Sequence, residues 1–144
     1  MHECGYIHAK LSPERLIIGK VPDDTILYLV SFDKTLIKDS AYNRCTATPS
    51  VNYEFMSLSA HKRGIISWKD DLESLCYILI YFLKGKLPWS DQVSTIISSH
   101  NGIGLADAIN QTVYRSKLEY SIEDICKNLP GELIRRNPRT FKLL

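Results

Sequence analysis

Apolar positions along this chain follow two different patterns. Between Arg15 and Phe32, two short runs rich in β-branched and aromatic residues, "RLIIG" and "TILYLVSF", flank "KVPDD". Strand-forming runs around a Pro-Asp turn predict a β-hairpin over residues 15–32. From Asp33 to about Ser50 the chain is polar and irregular, a long structureless connection of the kind usually reserved for function or disorder. The pattern then changes. In "KDDLESLCYILIYFLKGKLPW" acids at Asp70, Asp71 and Glu73 sit where a helix dipole favours them, Lys84 closes the run, Gly85 supplies the C-cap and Pro88 blocks continuation. The segment "LCYILIYFL" (75–83) is apolar all round, so the helix over 70–84 is expected to be surrounded by protein.

Beyond it, "SDQVSTIISSHNGIG" is expected to form a surface loop. A helix is predicted from about Leu105 to Leu118. Another begins at Ser121, whose spacing to Asp124 fits a capping box, and stops before Pro130-Gly131. The last stretch is interrupted by Pro138. No internal repeat and no low-complexity tract is visible. The fold class is mainly α with one small β-hairpin.

Composition narrows the function classes. A chain of 144 residues with 44% hydrophobic and 24% charged residues is ordinary for one globular domain. The net charge of +2 comes from mixed signs, and the one basic cluster, Arg135, Arg136, Arg139 and Lys142, fits a solvated helix face better than a nucleic-acid site. Four scattered cysteines (Cys4, Cys45, Cys76, Cys126) without a CxxC pair favour free thiols in a reducing compartment. His2, Cys4 and His8 cluster but offer only three groups, which argues against a metal site. The longest apolar run is nine residues, against about 20 for a membrane span. With no secretory signal pattern at the N-terminus, the expected location is intracellular, cytoplasmic or nuclear, with no membrane and no nucleic-acid partner.

The stretch "YIHAKLSPERLIIG" (6–19) has the spacing of a kinase catalytic loop and the strand after it. Taken with the order of parts that follows, residues 1–137 resemble the C-terminal lobe of a protein kinase, closest to the casein kinase 1 and vaccinia-related kinase group. "DDLESLCYILIYFLKGKLPW" resembles that group's helix F and its following turn, "YEFMSLSAH" the vaccinia-related segment before it, and "SIEDICKNLPGELI" a later casein kinase 1 helix. The resemblance implies a single kinase-like large lobe over 1–144: catalytic-loop remnant 6–19, DFG-position turn 30–33, activation segment 33–63, helix F 70–84. Only "MHECGY" precedes the loop, so the small lobe is expected to be absent, and the final helices likewise.

In such a lobe a catalytic aspartate receives the substrate proton, an asparagine and the DFG aspartate hold magnesium, and a small-lobe lysine and glycine-rich loop hold ATP. The resemblance places Lys10 at the catalytic aspartate, Ser12 at the loop lysine and Arg15 at the metal-binding asparagine. In "VSFD" it places Ser31 at the DFG aspartate and Asp33 at its glycine. A lysine ammonium neither accepts a proton nor attracts magnesium, and an arginine repels it. Asp33 lies two residues late, about 7 Å along an extended chain, and faces Arg15. Neither ATP nor magnesium is therefore expected to bind, and "GIG" at 102–104 is no substitute for a phosphate loop. The structural positions persist. His8, Phe32 and Asp71 match the residues that stack and anchor the lobe's internal spine, with Asp71 accepting hydrogen bonds from the loop backbone near His8. The family's Gly-Thr becomes Val51-Asn52, and a basic pair before helix F becomes Trp68-Lys69. Trp68 is a candidate partner anchor or a lid over the helix.

The leading expectation is a catalytically inactive, pseudokinase-like module that binds another protein through apolar surface left uncovered by the missing helices. Two alternatives stay open: a kinase-related polypeptide whose phosphotransfer a partner completes, and the remnant of a decayed kinase gene.

Overall fold

A computed structural model of the chain describes residues 1–19, 26–37, 52–99 and 102–127. Expectations for the 20–25 turn, residues 39–50, Cys45, Val51 and the basic cluster near the end fall outside those residues.

The described structure is mainly helical with two small antiparallel strand pairs. A 3-10 turn at His2–Cys4 leads into β1 (Tyr6–Ile7). A second such turn, Pro13–Arg15, leads into β2 (Leu16–Ile18), which pairs with β3 (Leu27–Leu29) as the expected hairpin, Ile17 opposite Tyr28. The stretch after Asp33 is not wholly irregular: β4 (Leu36–Ile37) pairs with β1, Ile7 opposite Leu36. The single hairpin of the expectation is thus one of two sheets. A two-residue strand carries too little pattern to be read in advance, and Ile7, 1% exposed, shows what fixes it to the core.

After a 3-10 turn at Tyr53–Phe55, the described residues form five α-helices: α1 (Leu58–His61), α2 (Trp68–Lys84), α3 (Ser90–Ser99), α4 (Leu105–Glu119) and α5 (Ile122–Cys126). The long apolar run forms α2, starting at Trp68 rather than 70 and ending at Gly85 in the left-handed region (φ 80°). Its core face buries Tyr77, Ile78 and Ile80 against Leu87, Trp89 and Val113, each large side chain contributing roughly 1.5–3 kcal/mol. The helix is not enclosed all round, however. Leu79 and Phe82 are about half exposed, because the elements packed on α2 cover one face of it.

Residues 90–104 correct the sequence reading most clearly. The first ten are helical, and Val93 packs into the core with Ile96 beside it. Their Ser/Thr content looked loop-like, but the hydroxyls of Ser94, Thr95, Ser98 and Ser99 donate to carbonyls four residues back, satisfied inside the helix. α4 runs as expected, and Ser121 caps α5 by accepting from the Asp124 N–H, though α5 is only five residues long. Among the described residues no helix is long and apolar enough to cross a membrane, and Cys4, Cys76 and Cys126 are free thiols.

Candidate functional site

The N-terminus of α2 organises the site. Its three acids, read from the sequence as dipole partners, each hold a separate piece of chain. Asp70 accepts from the Ser67 N–H (2.7 Å) and hydroxyl (2.9 Å) and from the Ser57 hydroxyl (2.6 Å), tying α2 to the start of α1. Glu73 accepts from the Leu58 N–H and the Tyr77 hydroxyl, both at 2.9 Å. Asp71, 3% exposed, reaches back to the loop after β1: Oδ2 accepts from the His8 N–H (2.7 Å) and Oδ1 from the Ala9 N–H (2.8 Å). The His2 ring donates a third hydrogen bond, from Nε2 to Oδ2 at 2.8 Å. These bonds fasten a strained turn, since Ala9 sits at φ 60°, where a residue with a Cβ is uncommon.

His8 is buried, and its Nε2 lies 3.1 Å from the Val30 carbonyl, so that nitrogen carries the hydrogen; Nδ1 has no partner. The Phe32 ring meets His8 edge-on at 5.5 Å between centroids, while its outer face is open to solvent. His8, Phe32 and Asp71 therefore form a continuous column from the loop to α2. In the N-terminal His/Cys cluster, the His2 ring is bonded to Asp71 and the His8 ring to the Val30 carbonyl, while Cys4 is an exposed free thiol.

The chemistry-bearing positions converge beside that column. Ser31 adopts φ 67°, which turns its carbonyl toward Arg15, and Arg15 Nη1 donates to Ser31 O at 2.8 Å. The same nitrogen contacts Asp33 Oδ1 at 3.2 Å. The Arg15 hydrogen bond, aided by the Arg15 and Lys10 charges, holds the Asp33 carboxyl below its usual range despite some desolvation. Ser12 is buried where the 3-10 turn begins, its carbonyl accepting from the Arg15 N–H at 3.0 Å. Lys10 lines a cavity of about 260 Å³ between the loop, the 33–36 stretch and the N-terminus of α2. Lys34 and Thr35, which the sequence did not single out, line the same cavity.

The arrangement does not fit a magnesium ion at the position the kinase resemblance implies. A guanidinium sits on the one nearby carboxylate that is not already spent on backbone, and Ser31 offers only a hydroxyl and a carbonyl already taken. Trp68 stands apart at the first turn of α2, 38% exposed, its ring 6.5 Å from His2 and 5.9 Å from the Lys69 ammonium. It is neither fully open nor a closed lid.

A second polar centre escaped sequence analysis. Lys117 on α4 is buried, its Nζ donating to the carbonyls of Met56 and Tyr53 and to His61 Nε2 at 3.2 Å, above the rings of Tyr77 (4.4 Å) and Trp89 (5.0 Å). Burial pushes its pKa far down. His61 accepts through Nε2, so its Nδ1–H donates to Asn110 Oδ1 at 2.7 Å, and Asn110 returns a bond to the His61 carbonyl. Burial first, then the Lys117 charge, lowers His61 to about 4. A signal was present: Ile109, Val113, Ser116 and Lys117 are all buried and follow the spacing of one helix face.

No model of a known protein family matches the sequence.

Proposed function

We propose that this chain is a kinase-like lobe that does not transfer phosphate and acts by binding another protein. The Arg15 contact carries the reading. One guanidinium nitrogen engages both Ser31 O and Asp33, which puts positive charge where phosphotransfer would need a divalent cation. Lys10 adds a second positive charge where a proton acceptor would stand. The scaffold around these positions is intact in its own terms, with Asp71 holding the loop backbone and His8 meeting Phe32. Chemistry-bearing positions are replaced while the positions that shape the loop are satisfied, as expected of a frame retained for recognition rather than catalysis.

Exposed apolar side chains support a protein partner. Ile17, Ile18, Leu27 and Tyr28 on the hairpin, and Leu79 and Phe82 on α2, are all about half exposed or more. Apolar side chains grouped on one element in this way commonly mark interaction surfaces. The test is direct: the purified chain, given magnesium-ATP with casein or histone, is expected to transfer no phosphate. Transfer that disappears on Asp33→Ala overturns the reading.

A further inference from the structure

The outer side of α2 carries a pattern of its own. Trp68, Leu72, Leu75, Leu79 and Phe82 follow one another at spacings of four, three, four and three residues. At 3.6 residues per turn they fall within an arc of about 80° on the helix. Trp68, Leu79 and Phe82 are exposed, and Leu72 and Leu75 partly so, while Tyr77, Ile78 and Ile80 on the remaining surface are buried in the core. At 1.5 Å of rise per residue this makes an apolar line about 21 Å long. A helix that is apolar all round belongs inside a protein, and a continuous apolar strip left at a surface commonly marks an interface.

The spacing selects the occupant. Apolar residues alternating four and three apart repeat every 3.5 residues on average, the seam that a second helix fills by setting its own side chains between them. Such a pair crosses at roughly 20°, so a straight helix of about four turns covers the line from Trp68 to Phe82. Charge narrows the choice further. The acids of α2 are committed elsewhere: Asp70 to Ser57 and Ser67, Asp71 to the loop backbone, Glu73 to Leu58 and Tyr77. The charges exposed at the two ends of the line are lysines, Lys69 beside the Trp68 ring and Lys86 just past Gly85, where it pairs with Asp91. A second copy of α2 would set Lys69 against Lys69 if parallel and toward the Lys86 end if antiparallel, like charges in either case. A helix with acids bordering its apolar seam meets no such penalty.

We infer that the Trp68–Phe82 face of α2 is the docking surface for an amphipathic helix of another protein, apolar at the same three- and four-residue spacing and acidic along its borders. The inference rests on the protein-binding reading above and deepens it, by assigning the surface that binds and the shape and charge of the partner. Trp68 is then the anchor at one end of the contact and Phe82 at the other.

The experiment titrates the full 144-residue chain with a synthetic helical peptide of about 18 residues, leucine at heptad positions a and d, glutamate at e and g, alanine and glutamine elsewhere. The glutamates repel one another and keep the free peptide from pairing with itself. Trp68 fluorescence reports binding, since Trp89 is fully buried, and the backbone amides of Leu75, Leu79 and Phe82 locate it. A saturable blue shift and saturable amide shifts below millimolar peptide are expected. The same peptide with lysine at e and g is expected to bind at least tenfold more weakly. Leu79→Glu, at an exposed position, is expected to weaken binding at least tenfold with an unchanged helical circular dichroism spectrum, and the gentler Phe82→Ala several-fold. Ile18→Glu on the hairpin is expected to leave binding as it is. No saturable response to the glutamate peptide, or full binding by Leu79→Glu, overturns the inference. Self-association of the free chain that Leu79→Glu abolishes overturns it in favour of a second copy. Overhauser contacts from Leu79 and Phe82 to residues 128–144 in the free chain overturn it in favour of another segment of the same chain. Binding lost with Ile18→Glu but kept with Leu79→Glu overturns this surface and leaves the protein-binding reading standing. Phosphate transfer by the same sample overturns the non-catalytic reading instead, so the failures are distinct.

Discussion

Asp71 and Lys117 are both charged, both almost fully buried, and both spend their charge on main-chain groups, yet they do opposite things to the fold. The Asp71 carboxylate gathers three donors, two of them backbone N–H groups of a strained turn, all between 2.7 and 2.8 Å. It is compensated by hydrogen bonds at both oxygens. The Lys117 ammonium is held by carbonyls, an imidazole and two ring faces, with no carboxylate in direct contact among its described bonds. Carbonyl dipoles and cation–π contacts repay only part of the cost of burying a cation. The first centre stabilises a specific loop geometry; the second fixes the packing of α4 on the 53–61 segment at some expense of stability.

That contrast is sharpest in what removal should do. Asp71→Ala leaves the buried His8 N–H and the part-buried Ala9 N–H without acceptors, and chemical denaturation is expected to show a loss of about 3–5 kcal/mol. A loss below half of that range would mean the loop keeps its shape by other means.

Acid should reach the Lys117 centre first. His61 has its pKa depressed from 6.5 to about 4, so as pH falls the unfolded chain takes up a proton before the folded one does. Its contribution is complete above pH 6.5 and is lost as pH falls toward 4, amounting to about 3 kcal/mol across that window. Melting curves against pH, with His61→Gln flattening this part of the profile, check the sign and the assignment.

Lys117→Met keeps the stem over the Tyr77 and Trp89 rings but removes the buried charge. The expected change is under about 1.5 kcal/mol, because lost hydrogen bonds are offset by relief of desolvation. A loss as large as that of Asp71→Ala would erase the asymmetry between the centres. The smallest effect is expected from Ile18→Thr on the exposed face of the hairpin, within about 0.5 kcal/mol by denaturation, since Ile18 is 71% exposed and its removal opens no cavity.

The same two centres show how far the sequence could be read. Asp71 was legible because a helix-initiating acid, a nine-residue apolar run and a glycine cap advertise α2 without ambiguity, and because the kinase resemblance supplied a reason for the acid to face the loop. Lys117 was hidden because a lysine in "YRSKLEY" looks solvated; only its register with Ile109 and Val113 betrays it. The α3 helix was missed for a related reason. Its Ser and Thr residues are polar by type but satisfied by their own backbone, so composition suggested a loop where periodicity at Val93, Ile96 and Ile97 allowed a helix. The cavity needed tertiary structure altogether: Lys34 and Thr35 come to Lys10 through the β1–β4 ladder, two residues long in each strand.

The central proposal is that the Arg15 guanidinium, held on Ser31 O and Asp33, keeps a divalent cation from binding there. Titration with manganese ions tests it most directly, because a bound paramagnetic ion broadens the resonances around it. The account predicts no saturable broadening of the Ser31, Phe32 and Asp33 amides at millimolar manganese in the wild-type chain, and its appearance in an Arg15→Asn, Ser31→Asp double variant. Saturable broadening at those three amides in the wild type would contradict it.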